Sequence, residues 1–440
     1  MPRTEEEFDF STEEAPRKKR RTTSDAKPAR SSSTSTIATP RHDIDPARVP
    51  VLAKRGAKKM ITIYQEMTDK LYEREDVIQD ILRALVAGEN VLLLGLPGTG
   101  KTFLAEALGE HIEDANLFKW LMNKTTDPAD IIGPYSIKGM ERDRFRRVLK
   151  GKAADSEVVF IDEIFKANEP VLNFMLSMLN EGYVYNDGQQ VEVPLRITLA
   201  ASNEFPDGDE LEAFYDRFIF RHWVNYIQDG QNRIEMARAS RKGHANTSVT
   251  TITLEELDAM QIHVRSINFP SQMEKFYDRL IRTLNQNNIV ISDRRYAKGQ
   301  LVMMANALLD GRDTVNGNDF AALKHVLWNK DVKEIAIVEK ELDKFANPHE
   351  AKLKEMLAKA TEVLENTLKV ESRTERASEA VTANQTLNDI LGKMEDEVDE
   401  AQKNGVDIKP MKKFVDSVQE MMEKIAEECL RPTARSTRKW

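Results

Sequence analysis

The chain is 440 residues long, which at roughly 150 residues per domain predicts two to four folding units. Hydrophobic residues make up 40% and charged residues 31%, so the chain can build cores but also carries long solvated stretches. The formal net charge of −9 argues against a protein whose main function is to bind nucleic acid.

The cysteine content and the length of the apolar runs indicate the cellular compartment in which we expect the protein. Cys429 is the single cysteine, so the chain can form neither an internal disulfide nor a thiolate metal site. The longest apolar runs are far shorter than the ~20 residues that span a bilayer. We therefore expect a soluble, cytoplasmic protein with no membrane partner.

Residues 1–48 are predicted to form a disordered tail. They hold few large apolar residues and include the linker-like stretch RSSSTSTIATP. A block of five basic residues, Arg17 to Arg21, follows an acidic patch. Such a block is typical of a nuclear-import signal or a nucleic-acid contact, and also of a solubilising tail that pairs with its acidic neighbour. We favour the solubilising tail.

An α/β core is predicted for residues 49–228, where β-rich runs alternate with helical segments. The candidate strands are NVLLL at 90–94, LFKWL at 117–121, EVVFI at 157–161, RITLAAS at 196–202 and FIFRHWV at 218–224. Apolar strands separated by helices indicate a parallel sheet covered on both faces. The stretch YVYNDGQQVEV, with turn residues Asn186, Asp187 and Gly188, predicts one inserted hairpin.

Helical spacing dominates the remaining residues. We predict a smaller helical lid domain at 229–330 and an all-helical C-terminal extension at 331–440, ending in the basic tail RPTARSTRKW. Apolar residues in the extension recur at steps of three and four in two stripes: Leu387, Leu391, Met394 and Val398, then Met411, Val415, Val418 and Met422. Such stripes suit helical hairpins or a coiled coil, and we interpret them as packing faces rather than ligand sites.

A phosphate-binding loop is predicted within NVLLLGLPGTGKTFLAEAL, residues 90–108. The stretch fits GxxxxGK[ST], with Gly95, Gly100, Lys101 and Thr102 in place, between a strand and a helix. Glycines let consecutive backbone N–H groups curl around phosphates, and the helix offers its positive end to the anion. Lys101 can reach the terminal phosphates and the Thr102 hydroxyl can bind Mg²⁺. The loop therefore indicates a nucleoside triphosphate.

Two carboxylates end a predicted strand in VVFIDEIFK. Asp162 can orient the ligands of Mg²⁺, and Glu163 can polarise an attacking water. An Asp-Glu pair after a strand is also a common start of a helix. Its position about sixty residues after a phosphate loop favours catalysis.

Polar side chains elsewhere can complete such a site. Asn203, at the end of LAASNEF, can hold the same water or the γ-phosphate, although asparagine is also an ordinary turn residue. The stretch FYDRFIFR offers Arg217 and Arg221, and SDRRYAKG offers Arg294 and Arg295. Arginine suits the charge that develops on a transferring phosphoryl group, but arginine pairs are usually salt-bridged on the surface.

The sequence gives little indication of a histidine metal site or of a serine nucleophile. The seven histidines show no spacing typical of a metal site, and no serine sits in a nucleophile elbow. We interpret His222, in FRHWV, as a packed strand residue rather than a ligand.

With these elements in this order, the chain resembles the AAA+ ATPases, specifically the MoxR family and its RavA-like branch. The resemblance runs from Tyr72 to Lys330 and rests on LYEREDVI, LLLGLPGTGKT, DPADIIGPYSI, VVFIDEIFKANEPVLNFMLSMLNEGYVYNDG, LAASNEFP, LEAFYDRFIFR, SDRRYAKG and VLWNKD. It implies an AAA+ P-loop core of α/β class with a helical lid. It does not extend to residues 1–48 or to about 345–440.

The resemblance also implies residue roles. Asp162 and Glu163 would form the Walker B pair, Asn203 sensor 1, Arg217 the arginine finger and Arg294 the sensor 2 arginine. Arg221 and Arg295 remain rivals of the last two. Residues 130–145 and the hairpin would face the pore or ring surface. The implied ATP-binding residues are the Walker A loop with its flank, Gly95, Leu96, Pro97, Gly98, Thr99, Gly100, Lys101, Thr102 and Phe103, and the adenine-side residues Tyr72, Val77 and Ile78.

A finger that acts in the neighbouring subunit implies a homo-oligomeric ring, and the family resemblance implies that the ring is a hexamer. The family resemblance implies chaperone-like remodelling of a protein client together with a von Willebrand factor A domain partner in a separate chain. The C-terminal helices are a natural docking arm for that partner or client.

Two other functions compete with this one. A nucleic-acid motor or loader could use the basic runs at 17–21 and 431–439, against the overall acidity. A scaffold ring held together by nucleotide would not need the carboxylate that polarises water, so Glu163 argues against it.

Overall fold

The computed structural model describes residues 43–242, 249–346, 348–369, 373–403, 408–426 and 429. The predicted disordered tail therefore lies outside the described residues up to residue 42, and with it the basic block at 17–21. The basic tail at 431–439 also lies outside them.

A parallel sheet forms the centre of the fold. The strands among the described residues are β1 (Val91–Leu94), β2 (Leu117–Leu121), β3 (Val158–Asp162), β4 (Tyr183–Asn186), β5 (Gln189–Glu192), β6 (Ile197–Ser202) and β7 (Phe220–Trp223). Five of them pair in the order β2-β3-β6-β1-β7, and every pair is parallel. β4 and β5 form a separate antiparallel hairpin. All five predicted sheet strands and the predicted hairpin are confirmed.

The sheet is covered on both faces. Every residue of β1 and β6 is buried, which is typical of a parallel sheet between two layers of helices. The helices of this part are α1 (Val49–Lys70), α2 (Glu75–Ala87), α3 (Lys101–Glu110), α4 (Pro128–Ile132), α5 (Ile137–Met140), α6 (Glu169–Glu181) and α7 (Asp209–Tyr215). α2 ends at Gly88, whose φ of 70° suits glycine.

Two further helices follow β7: α8 (Gly230–Lys242) and α9 (Leu254–His263). α9 begins at a capping box in which Thr253 and Glu256 satisfy each other's backbone N–H groups. It packs on α1 and is tied to the sheet by a buried ion pair between Asp258 and Arg196, with 2.7 Å between Oδ1 and Nε. α9 thus lies with the α/β core, although it follows the domain boundary predicted at residue 228.

A smaller helical unit comes next. It contains α10 (Ser271–Gln286), α11 (Asp293–Leu309), a 3₁₀ helix at Gly317–Leu323 and α12 (Lys333–Ala346). Tyr277 of α10 stacks on Tyr296 of α11, with 4.8 Å between ring centroids. α12 packs on α10 and on the 3₁₀ helix. A helical lid is confirmed as part of the fold. Its predicted bounds of 229–330 stay a prediction, and α12, which falls within the predicted C-terminal extension, packs with the lid helices.

The C-terminal extension is helical, as predicted. α13 (Pro348–Lys369), α14 (Arg373–Lys403) and α15 (Lys409–Ile425) pack on one another around their own apolar core. Both predicted stripes lie in that core or pack against it, which confirms that they are packing faces. No helix in the described stretches is long and apolar enough to cross a bilayer.

Candidate nucleotide-binding site

The loop between β1 and α3 has the backbone of an anion cradle. Gly95 has φ of 135°, and a Cβ there would collide with the carbonyl oxygen of Val224. Gly98 and Gly100 have φ of 78° and 86°, with open space where a Cβ would point. Glycine accepts these left-handed conformations without strain. The loop can therefore turn its N–H groups toward a bound phosphate at the start of α3.

Lys101, at the first position of α3, is bound into this loop. Its Nζ donates to the carbonyl oxygens of Gly95 at 2.5 Å and Leu96 at 3.1 Å, and to Oδ1 of Asn203 at 3.1 Å. Burial lowers the pKa of Lys101, and the two carboxylates at the end of β3 oppose that shift. The ammonium group thus sits between the phosphate loop and the ends of the neighbouring strands.

The predicted hydrolytic residues converge on Lys101. Glu163 Oε1 accepts a hydrogen bond from Asn203 Nδ2 at 2.6 Å, and Asp162 Oδ1 accepts one from the Glu163 backbone N–H at 3.0 Å. Glu163 has φ of 53°, an uncommon backbone conformation for a side chain of this size that is found at functional sites. Lys101, Asn203 and Glu163 therefore form one continuous hydrogen-bonded chain.

The other loop residues take supporting positions. Thr102 is exposed one residue after Lys101, where its hydroxyl can reach a metal ion beside the phosphates. The Thr99 hydroxyl donates to the carbonyl oxygen of Leu96 at 3.0 Å. Tyr226, from the segment after β7, donates to the carbonyl oxygen of Pro97 at 3.1 Å. These bonds fix the loop on both sides.

A cavity of about 560 Å³ opens beside the loop, a size that suits a nucleoside. Tyr72 and Phe103 line it, as the predicted roles require, together with Gly98, Thr99 and Gly100. Residues that the sequence analysis missed complete the wall, among them Arg74, Tyr226, Ile227 and Met236.

Val77 and Ile78 do not line this cavity. Both are buried on α2, with exposures of 7% and 0%. A direct contact with an adenine base stays a prediction for both.

Arg74 links three segments around the cavity. Its guanidinium donates to the carbonyl oxygens of Thr99 in the phosphate loop (3.1 Å), Asn225 after β7 (2.7 Å) and Glu73 (2.6 Å). The side chain is buried, with 7% exposure. Arginine has five N–H donors in a rigid planar group, so it can donate to several carbonyl oxygens at once. Sequence pattern alone could not find this role, because the three acceptors are backbone atoms.

In each of the two predicted arginine pairs, one arginine is buried and the other lies nearer the surface. Arg221 and Arg295 are 1% and 2% exposed, and both donate to the carbonyl oxygen of Trp328. They hold the core and lid together. Arg217 and Arg294 lie nearer the surface, so they are the members of each pair that can reach another molecule.

Arg217 and Arg294 lie together. Arg294 Nη1 donates to Asp216 Oδ2 at 3.0 Å. Burial, and then the charge of Arg294, lower the pKa of Arg217. The Nε of Arg217 is buried and has no hydrogen-bond partner in the described part of the chain.

This arginine pair and the phosphate loop lie toward opposite ends of the parallel strands. Arg217 precedes β7, whereas the phosphate loop follows β1, and the two strands run parallel with Val91 beside Phe220. A strand of four residues puts roughly 10 Å or more between its amino and carboxyl ends. Arg217 therefore belongs to a different surface from the phosphate loop of its own chain.

The predicted insert and hairpin lie side by side. Asn186 in the hairpin exchanges two hydrogen bonds with the backbone of Arg147, at 2.7 and 3.1 Å. Tyr135 and Phe145 pack edge to face and are 44% and 67% exposed, and Tyr185 on β4 is 62% exposed. Exposed apolar side chains on one continuous face are typical of a contact surface.

Comparisons with known proteins identify the family of the chain. Residues 58–262 match the MoxR domain of the MoxR-vWA-beta-propeller ternary systems, and residues 272–342 match the AAA lid domain. Both matches place the chain among the AAA+ ATPases. Within that class, the chain belongs to the MoxR family.

Individual relatives support the same assignment. Two uncharacterized proteins of Methanocaldococcus jannaschii are each 34% identical to it. One matches over 310 residues, 70% of this chain and 79% of the relative. The other matches over 270 residues, 61% and 71%. A crystal structure from Cytophaga hutchinsonii, assigned as an ATPase, covers 68% of this chain and 97% of its own with a TM-score of 0.56. At 18% identity it shows the shared fold alone.

We expect Arg74→Met to weaken ATP binding about tenfold, because the phosphate loop loses its tie to the segments around the cavity. Arg74→Lys should fail to restore the affinity, since one ammonium group cannot serve three acceptors in this geometry. Titration with a fluorescent ATP analogue measures both. Arg279→Met, an exposed arginine on α10, is the control. Wild-type affinity in Arg74→Met would refute the role.

Proposed function

We propose that the chain binds ATP with Mg²⁺ and hydrolyses it at the interfaces between subunits of a homo-oligomeric ring, most simply a hexamer. The observation that carries this proposal is the separation of the catalytic side chains. Lys101, Glu163 and Asn203 meet at one edge of the sheet, whereas Arg217 and Arg294 lie together at the other. A second subunit can bring the two sets together.

The residues at the loop fit a nucleotide and its metal ion. The N–H groups of Gly98 to Lys101 and the Lys101 ammonium would hold the phosphates, and the cavity beside Tyr72 and Phe103 would take the nucleoside. The Thr102 hydroxyl and the Asp162 carboxylate are oxygen donors of the kind that Mg²⁺ prefers. The ion supplies charge stabilisation when bound.

Glu163 and Asn203 have the chemistry of the hydrolytic step. The Glu163 carboxylate can accept a proton from an attacking water, and the Asn203 amide fixes its position at 2.6 Å. Lys101 currently donates to Asn203 and to loop carbonyls. In a subunit that holds ATP it would turn toward the phosphates, which would free Asn203 to orient the water.

Arg217 and Arg294 would act on the neighbouring subunit. An arginine supplied by a second subunit stabilises the charge that develops during phosphoryl transfer, worth about 10³–10⁵ in rate. Asp216 orients Arg294 through its carboxylate and accepts a hydrogen bond from Ser292 at 2.9 Å, whereas Arg217 donates to the carbonyl oxygen of Ala213. Hydrolysis would therefore depend on assembly.

Mixing two inactive variants tests this arrangement. Lys101→Ala and Arg217→Ala should each hydrolyse ATP at least about 100-fold more slowly than wild type. Their equimolar mixture should regain a measurable fraction of wild-type turnover, because rings will contain intact phosphate loops facing intact arginines. The double variant mixed with Arg217→Ala should regain nothing. A mixture no more active than its components contradicts a shared site.

Glu163→Gln separates an ATPase from a scaffold ring. We expect turnover to fall at least about 100-fold, because the amide cannot accept the proton of water, while ATP affinity and assembly stay within about twofold. Steady-state phosphate release and native mass measure these effects. Glu169→Gln, an exposed residue at the start of α6, should behave as wild type. Undiminished turnover in Glu163→Gln would favour the scaffold function.

The proposed partner is a von Willebrand factor A domain protein, with which the ring would remodel a protein client in the cytoplasm. The matching MoxR domain is that of the MoxR-vWA-beta-propeller systems, and the exposed aromatic face of the insert and hairpin suits a protein contact. The motifs around Lys101, Glu163 and Arg294 also support placement in the RavA-like branch. We propose α13–α15 as the docking arm for the partner.

Affinity capture with the Glu163→Gln chain and ATP tests the docking arm. The full chain should retain a von Willebrand factor A domain protein of its own organism. A chain that ends at residue 346 should lose it and keep ATP affinity within about twofold, because the apolar core of α13–α15 is separate from that of the nucleotide-binding part. Equal capture by both chains would rule out the arm.

A further inference from the structure

Three side chains from distant parts of the sequence meet beside the sheet. Asp80 comes from α2, His222 from β7 and His325 from the segment after the 3₁₀ helix at 317–323. One potential ligand atom from each lies within 4.8 Å of the other two. His222 Nε2 is 3.0 Å from Asp80 Oδ2, and the two imidazole rings are 4.0 Å apart between centroids.

The ring nitrogens at this point lack partners. His222 is 2% exposed, and its Nε2 makes no hydrogen bond within the described residues. Its 3.0 Å contact with the Asp80 carboxylate is electrostatic. Both ring nitrogens of His325 are likewise buried without a hydrogen bond in that part of the chain. Buried polar atoms are rarely left this way, and three in one place point to a missing ligand.

The carboxylate is already oriented. Arg83 Nη1 donates to Asp80 Oδ1 at 2.6 Å, and Arg83 Nε donates to Asn306 Oδ1 at 2.8 Å. Asp80 Oδ1 is therefore bound to Arg83, and Oδ2 lies on the side of the histidines, 3.0 Å from His222 Nε2. A ligand held in place by a second residue in this way is typical of metal sites.

We propose that Asp80, His222 and His325 bind a divalent transition-metal ion of the zinc class. Two imidazole nitrogens and one carboxylate oxygen are a ligand set that Zn²⁺ accepts, with water or a second carboxylate in the fourth position. Ligand atoms in a tetrahedral zinc site are roughly 3.3 Å apart, given bonds of about 2.0–2.1 Å. Side-chain rotations that close the group by about 1.5 Å would complete the site.

Asp76 is the candidate for the fourth ligand. Its Oδ2 lies 3.9 Å from His325 Nε2 and 3.6 Å from the ammonium group of Lys324, which also pairs with Glu339 at 2.9 Å. The carboxylate is 68% exposed, so it can rotate toward the histidines. With Asp76 bound, two carboxylates would balance the charge of the ion.

The ion would fasten the lid to the core. Asp80 and His222 belong to the α/β core, whereas His325 belongs to the segment that precedes α12. The Arg221 backbone N–H already donates to the His325 carbonyl oxygen at 2.9 Å, which places the two histidines side by side. The proposed site thus adds a metal tie at an existing junction between the lid and the core.

Zinc binding by the untagged full chain tests the proposal. After chelator treatment, in buffer without Mg²⁺ or nucleotide, the chain competes with a chromophoric chelator for Zn²⁺. We expect one ion per chain with a Kd of about 1 μM or below. His325→Gln and His222→Asn should each weaken binding at least about 100-fold, because each removes a ligand. His263→Gln, a histidine on α9, should bind as wild type.

Substitution with Co²⁺ gives a second readout, since its visible absorption reports ligands directly. Circular dichroism and ATP affinity check that each variant is folded. If His222→Asn is not folded, the test rests on His325→Gln, because the wild-type His325 side chain is 11% exposed and its replacement disturbs the core less. Less than about 0.2 ion per wild-type chain, or equal affinity in wild type and His325→Gln, overturns the site.

Discussion

The parallel pairing of β1 with β6 and β7 is the constraint on which the site depends. In this register Leu94 lies beside both Ser202 and Trp223. The phosphate loop, Asn203 and the segment from Val224 must therefore leave the sheet at the same edge. The Gly95 N–H donates to Ser202 and the Val224 N–H to Leu94, at 3.1 and 2.7 Å, so the pairing continues one residue into the loop. A slip in register would separate Lys101 from Asn203.

The same pairing separates Arg217, the predicted arginine finger, and Arg294, the predicted sensor 2 arginine, from the phosphate loop. Because β7 runs parallel to β1, the residues that precede it meet the amino end of the sheet, where Glu89 precedes β1. Lys298, which lies on α11 with Arg294, pairs with Glu89 at that end. Burial raises the pKa of Glu89, and the charges of Lys298, Arg265 and Arg294 oppose that rise. With this topology the two predicted arginines lie apart from the phosphate loop of their own chain, and this is the physical reason to propose a ring.

Local patterns made most of the fold and part of the site predictable. GxxxxGK[ST] and the strand-end residues Asp162, Glu163 and Asn203 are short signals, and parallel strands bring such ends together without further information. Arg74 gave no signal, because its partners are carbonyl oxygens distant in sequence. The choice between Arg217 and Arg221, or Arg294 and Arg295, also needed burial, since adjacent arginines look alike in a sequence. The proposed metal ligands lie in three distant segments, so no spacing could reveal them.

β7 connects these features, because it is the last strand of the sheet and the lid covers its outer edge. An uncovered edge strand presents unpaired N–H and C=O groups. Here the Arg221 N–H donates to the His325 carbonyl oxygen, and the Trp328 Nε1–H donates to the Arg221 carbonyl oxygen, each at 2.9 Å. The carboxyl end of β7 continues into Asn225 and Tyr226, which contact Arg74 and the phosphate loop. A displacement of the loop by nucleotide therefore reaches the lid through a single strand, and any tie between His222 and His325 would act on that same path.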